Sequence, residues 1–167
     1  MTIEDIYNVF DISEFYQLRN KIETSVIYAD DSTRRDVLDK LDNVVENKNA
    51  DFIRDFFQEY SANRKDMMQD YTPQCVCDLL ARIVPNEYEQ CTDICSGTGS
   101  LSLACVDDSR DEFVICEELS TAVIPMLVLN YVFRNRNAIV KEKNVVTNTV
   151  AKVYIIEKAQ KYSRVTV

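Results

Sequence analysis

Apolar residues over the first seventy positions recur at spacings of three and four. Ile3, Ile6, Tyr7 and Phe10 form one stripe, and Phe15, Leu18 and Ile22 a second. Val37, Leu38, Leu41, Val44 and Val45 make a third, and Phe52, Ile53, Phe56, Phe57 and Tyr60 a fourth. Each lies opposite charged positions, which predicts amphipathic helices whose aromatic residues are core. Breaks fall at 29–32, where Asp31 or Ser32 can cap the following helix, and at 46–49, whose Asn residues suit a turn. The segment 1–66 therefore reads as a helical subdomain that packs against itself and the rest of the chain.

The texture changes after Tyr71. Thr72-Pro73 reads as a helix start, with a capping hydroxyl and Pro at the first helical position; Val76, Leu79, Leu80, Ile83 and Val84 follow before Pro85 stops the helix. Short apolar runs then alternate with helical stretches: a strand at 91–95, a helix opening near Gly99, a strand at 113–116, a helix over 121–134 and a strand at 138–140. That alternation predicts a parallel α/β unit over 67–167. Pro125 falls near the start of its helix, where it is tolerated. The tail, 152–156 and 162–167, reads as further strands, with a hairpin across 157–161.

The chain has 167 residues, no His and only two Gly, Gly97 and Gly99. Average usage would give about twelve Gly. Without His there is no Ser-His-Asp or Cys-His catalysis and no His-ligated metal. The formal charge of -9 argues against a general polyanion binder. From Arg134 onward, however, eight basic residues meet only Glu142 and Glu157. That basic segment is either a solvated face or a local contact with a phosphate backbone or an acidic partner. The six cysteines, Cys75, Cys77, Cys91, Cys95, Cys105 and Cys116, lack zinc-type C-x2-C spacing and a preceding signal peptide. They read as reduced core thiols of a cytoplasmic protein, with no metal site expected. No run approaches the apolar length of a membrane span.

Both glycines fall in Asp93-Ile-Cys-Ser-Gly-Thr-Gly-Ser100, where the first strand of the α/β unit must turn into a helix. Glycine permits the sharp turn and the close approach of a ligand to backbone N–H groups at the helix start. Asp93 begins the loop, where a carboxylate can hold an ammonium group. The second strand ends in Cys116-Glu117-Glu118, and an acidic side chain there is placed to accept ribose hydroxyls. Glu117 and Glu118 point to opposite sides in a strand, so one of them serves.

Gln69-Asp-Tyr-Thr-Pro73, an apolar helix ending at Pro85, Asp93-Ile-Cys-Ser-Gly-Thr-Gly-Ser100, and Glu118 followed twelve residues later by Asn130 agree in order and spacing with one family. The segment 66–141 resembles the S-adenosylmethionine-binding part of the N6 DNA adenine methyltransferases of type I restriction-modification systems. Their motifs run Q-x-[FY]-[FY]-T-P, D-P-x-x-G-S-G, then an acidic residue and a helix carrying M-N-L. The resemblance implies a truncated Rossmann-like methyltransferase sheet with an N-terminal helical subdomain, and S-adenosylmethionine as cofactor. Carried over by position, Tyr71 and Thr72 would contact the methionine end and Asp93 its amino group. Gly97, Thr98 and Gly99 would line the loop, Glu118 would take the ribose hydroxyls, and Leu119 would pack on the adenine. Ile94 replaces the family's Pro, and Gly97-Thr-Gly99 its G-S-G.

The catalytic motif departs further. The family carries N-P-P-[FY] after its fourth strand, where Asn and a Pro carbonyl accept hydrogen bonds from the target amine and the ring stacks on the flipped base. The three prolines here, Pro73, Pro85 and Pro125, cannot form it, and the expected place reads Glu157-Lys-Ala-Gln160. Three functions follow. One is a cofactor-binding protein without methylation activity, acting as a regulatory, decoy or anti-restriction component alongside a restriction-modification or other defence protein. Another is an active methyltransferase on a different substrate, or one completed by a partner chain, with Tyr154, Glu157 or Gln160 supplying acceptors. The last is an acidic protein-binding or nucleic-acid-mimicking module whose pocket is vestigial.

Overall fold

The computed structural model describes residues 1–48, 51–60, 71–84, 91–105 and 113–167. The helical stripes fold as their spacing predicts. Helix α1 spans Ile3–Phe10 and opens with a capping box between Thr2 and Asp5. A short 3₁₀ turn, Phe15–Gln17, leads into α2, Leu18–Ile22, which widens into a π-helical turn over Glu23–Ile27. Helix α3 covers Asp31–Val44. Its cap is Asp30 rather than Asp31 or Ser32: the Asp30 carboxylate accepts from Thr33 N–H at 2.8 Å, and Asp31 already lies inside the helix. Helix α4 is Arg54–Tyr60.

Helix α5, Gln74–Ile83, by contrast starts one position later than expected, because Pro73 has extended backbone and is itself the cap. Thr72 makes no capping bond there. The stop at Pro85, the Gln69-Asp70 start of the motif and the 66/67 boundary lie outside the described residues.

The rest is α/β, as expected. Strand β1 (Cys91–Ile94), helix α6 (Ser100–Cys105), strand β2 (Val114–Glu118), helix α7 (Ile124–Phe133) and strand β3 (Ala138–Asn144) follow one another, and β1, β2 and β3 pair in parallel. Pro125 occupies the first turn of α7, where no backbone donor is lost. The tail does form two strands, β4 (Thr149–Glu157) and β5 (Arg164–Thr166), joined by residues 158–163. Both strands are antiparallel to their neighbours, giving a five-stranded mixed sheet of order β1-β2-β3-β4-β5.

One sheet face, carrying Val114, Cys116, Ala138, Val140, Tyr154 and Ile156, is buried. Helix α7 is buried on all sides because it lies between that face and the N-terminal helices, packing on β3, β4, α2 and the π turn. The result is one continuous core, running from Ile6 and Phe10 through Leu38, Ile53 and Phe57 to Leu127, Val140 and Ile156. The N-terminal helices thus complete the α/β layer rather than stand apart from it. Among the described residues, no helix is long and apolar enough to cross a membrane.

The cysteines divide by position. Cys77 and Cys116 are buried and Cys91 and Cys105 partly so, as core thiols should be, but Cys75 and Cys95 are exposed. Cys75 lies in the first turn of α5, and Cys95 sits on the outer side of the loop that follows β1.

Candidate functional site

The loop between β1 and α6 turns through three left-handed residues, Cys95 (φ 61°), Gly97 (φ 56°) and Gly99 (φ 92°). Gly99 N–H donates to Ser96 O at 2.9 Å, closing the turn. The two glycines serve different needs. A Cβ on Gly99 would lie 2.7 Å from Leu127 Cδ1, so this position lets the loop seat against α7. A Cβ on Gly97 would lie 3.0 Å from Tyr71 Cε1, so this one lets the loop lie against the Tyr71 ring. Helix α6 has only six residues, so the loop's own backbone and its acidic neighbours, not a long helix dipole, set the character of the site.

Adjacent residues of a strand face opposite ways, and the two glutamates at the end of β2 divide accordingly. Glu117 is 6% exposed and pairs with Lys143 at 2.7 Å on the far side of the sheet. Glu118 turns to the loop: its Oε2 accepts from Gly97 N–H at 2.9 Å and its Oε1 from Ser120 N–H at 2.7 Å. A carboxylate has about four lone-pair positions, so acceptor capacity remains for two further donors. Leu119 follows with 53% of its surface exposed.

Asp93 lies directly across from Cys116 in the β1–β2 register. Its Oδ2 is buried and has no hydrogen-bond partner. Burial raises the Asp93 pKa; the Ser102 hydroxyl and N–H lower it again in part, and the Glu118 charge raises it further. The neighbouring Cys116 thiol is pushed up to about 12 by burial and is neutral. Tyr71 closes the site from the other side, edge-on to Phe57 with ring centroids 6.0 Å apart. Burial, then the charges of Glu118 and Asp51, raise its pKa and keep the phenol neutral. Thr72 is half-buried, and its carbonyl accepts from Arg54 Nη1 at 3.3 Å. Tyr71, Asp93, Gly97 and Glu118 therefore converge on one loop.

Thr98 does not join them. Its side chain is fully buried and its hydroxyl donates to Asp51 Oδ2 at 2.5 Å, so the side chain faces the interior and leaves only the backbone of this residue to line the loop. Ser100 Oγ donates to the same oxygen at 2.6 Å. Asp51 Oδ1 accepts from Asn130 Nδ2 at 2.9 Å and from Arg54 N–H at 3.0 Å. Asn130 Nδ2 also reaches Thr98 O at 2.8 Å, and Arg134 Nη1 holds Asn130 Oδ1 at 2.8 Å. One 4%-exposed carboxylate thus ties the start of α4, the glycine loop and α7 together. Asp51 has no counterpart in the sequence reading. The only signal available was an Asp just ahead of the fourth apolar stripe, which suggests a helix cap and nothing more.

The expected catalytic position is displaced. Because β4 runs antiparallel to β3, with Ala138 opposite Ile156 and Asn144 opposite Thr149, the carboxyl end of β4 lies at the edge where β3 begins. Glu157 and Gln160 therefore lie at the edge opposite the glycine loop, and Tyr154, opposite Val140, is level with Asp93 but three strands across the sheet from it. The sheet order also differs from that of dinucleotide folds, in which the fourth strand lies beside the first and the ligand sits where the order reverses. Here β4 lies beside β3, and the order does not reverse among the described strands. Comparison of the chain with protein-family models, curated proteins and solved structures found no match.

Proposed function

We propose that the protein binds S-adenosylmethionine at the β1–α6 loop and does not transfer its methyl group to DNA. The observation that carries the cofactor assignment is the pairing of two acidic groups around one glycine turn. Glu118 is hydrogen-bonded to Gly97 with acceptor capacity left for a ribose diol, and Asp93 has a buried oxygen without a partner, suited to an ammonium group. Tyr71 would bound the methionine end and Leu119 the adenine, with the Gly97 backbone passing between them. Bound there, the cofactor presents an electrophilic methyl on a sulfonium.

The loss of transfer is supported by the absence of N-P-P together with the antiparallel course of β4, which carries Glu157 and Gln160, the residues at the expected catalytic position, away from the loop edge. Such a protein would act as a regulatory, decoy or anti-restriction component. A second reading is favoured by the outer edge of β1, which pairs with no strand among the described residues and exposes Ile94. A partner chain adding a strand there would stand where the fourth strand of a doubly wound sheet lies, and could carry the missing acceptors.

Calorimetric titration with S-adenosylmethionine and S-adenosylhomocysteine tests the proposal. Both should bind, with Glu118→Gln weakening affinity by about tenfold or more and Glu117→Gln leaving it within about twofold. No binding by the wild type would overturn the cofactor assignment. Labelled methyl appearing on unmethylated DNA would overturn the claim of inactivity.

A further inference from the structure

A second concave site lies at the opposite edge of the sheet, away from the glycine loop. The turn from α7 into β3 and the connection from β4 to β5 are locked together there. Asn135 Nδ2 donates to Ala159 O at 2.9 Å, and Ala159 N–H returns a bond to Asn135 Oδ1 at 2.9 Å. Lys158 N–H donates to Asn137 Oδ1 at 2.7 Å, and Ser163 Oγ to Arg136 O at 3.0 Å. Asn135 adopts φ 53°, a left-handed conformation that Asn tolerates better than most residues and that turns the chain out of α7. These bonds make a wall of fixed shape.

The cavity against that wall has a volume of about 340 Å3 and is lined by five cationic side chains: Lys48, Arg134, Arg136, Lys158 and Lys161. Four of them belong to the basic C-terminal segment, and Lys48 is brought in from the end of the third apolar stripe. Among the described residues, Asp42 meets Lys48 and Lys161, and Asp39 meets Lys161 at 2.7 Å. Elsewhere the segment's charges serve other contacts: Lys141 and Lys143 flank Glu117, and Arg164 lies 3.6 Å from Asp31. In a chain of net charge -9, five cations around one concavity raise a local positive potential that low-dielectric walls focus.

We propose that this cavity binds a compact polyphosphate group, such as the di- or triphosphate of a small ligand. Its volume falls within the span of small-molecule sites, roughly 300–1,000 Å3. Recognition falls to the cations, because the aromatic residues in the lining are taken up in packing. The Tyr162 ring stacks on Phe133 with centroids 6.0 Å apart and carries Lys161 Nζ at 4.9 Å, while its hydroxyl donates to Leu38 O at 3.1 Å. The acidic remainder of the surface disfavours a long duplex, whose phosphates would extend beyond the cavity. Arg134 and Arg136 are anchored to Asn130 and to Leu103 O and form the floor. Lys48, which also meets Asp42, and Lys158 come from two separate segments and are the groups to replace.

Titration calorimetry at low ionic strength with inorganic tripolyphosphate is the test. The wild type should bind. Lys48→Ala and Lys158→Ala should each weaken binding by about tenfold, and Lys158→Glu by more, with unchanged circular dichroism. Lys152→Ala removes an equal charge outside the cavity and should leave affinity within about twofold. Absence of binding would overturn the proposal, as would equal weakening by Lys152→Ala or affinity untouched by all three cavity substitutions. Tighter binding of a short duplex DNA than of tripolyphosphate would overturn the small-ligand assignment. Because S-adenosylmethionine would bind at the other edge, its affinity should be unchanged in the lysine variants, so failure at one site leaves the other standing.

Discussion

Asp51 is where the site and the fold meet, and replacing it separates the two. In Asp51→Ala, the buried hydroxyls of Thr98 and Ser100 lose their shared acceptor, and the N–H groups of Ile53 and Arg54 lose theirs at the start of α4. Asn130 Nδ2 keeps its bond to Thr98 O, which limits the damage. Loss of a cap is worth about 1 kcal/mol, and two buried hydroxyls left without a partner about 1–3 kcal/mol each. Partial rotation of the hydroxyls toward other acceptors brings the expected total to about 3–5 kcal/mol, a large share of the roughly 5–15 kcal/mol that holds a domain together. Asp51→Asn keeps an acceptor for Asn130 and the backbone and offers an amide to hydroxyls that can reverse, so its loss should be about 1–2 kcal/mol. Urea unfolding followed by circular dichroism reads both, provided the slope with denaturant is unchanged. The Thr98→Val and Asp51→Ala changes should be strongly non-additive, since each removes the same bond. An Asp51→Ala protein within about 0.5 kcal/mol of wild type would refute the view that this carboxylate organises the loop.

Four further outcomes follow from the same geometry. Burial raises the Asp93 pKa, so the ionised carboxylate opposes folding, and the penalty is absent below the ordinary carboxylate value of 3.8 and grows as pH rises through the folded-state value. Asp93→Asn should accordingly melt at higher temperature than wild type at neutral pH, the two curves converging in acid, while binding S-adenosylmethionine about tenfold or more weakly; a lower melting temperature at neutral pH would contradict the burial argument. Wild-type affinity for S-adenosylmethionine should rise with pH through the Asp93 titration, with proton release visible as buffer-dependent heat, because only the anion holds an ammonium group. Gly99→Ala should destabilise the protein by about 1–3 kcal/mol in thermal unfolding through its clash with Leu127 and its left-handed backbone. Gly97→Ala, which presses on the Tyr71 ring and strains a left-handed backbone, should lower stability as well as weaken cofactor binding.

Much of this architecture can be read along the chain because it depends on local periodicity. The stripes of three and four become α1 to α4, and the alternation after Tyr71 becomes parallel β1, β2 and β3 with α6 and α7 between them. Asp93, Gly97 and Glu118 meet because each lies at the end of a strand or at a turn, where position in the sequence implies position at one edge of the sheet; Tyr71, in irregular chain ahead of α5, is expected there only from the family resemblance. Glu118 faces the loop and Glu117 does not, as two-residue alternation requires once the strand's buried face is known.

Three features depended on contacts between distant segments, and no local pattern encodes them. The direction of β4 is set by its pairing with β3 through a turn at 145–148, which sends Glu157 and Gln160 to the far edge. Asp51 becomes an acceptor for Thr98 and Asn130, residues 47 and 79 positions away, only when the N-terminal helices close over α7. Lys48 joins Arg134, Arg136, Lys158 and Lys161 around one cavity for the same reason. Periodicity decides which face of an element is apolar, whereas burial against a particular partner decides which polar groups are brought together beneath it.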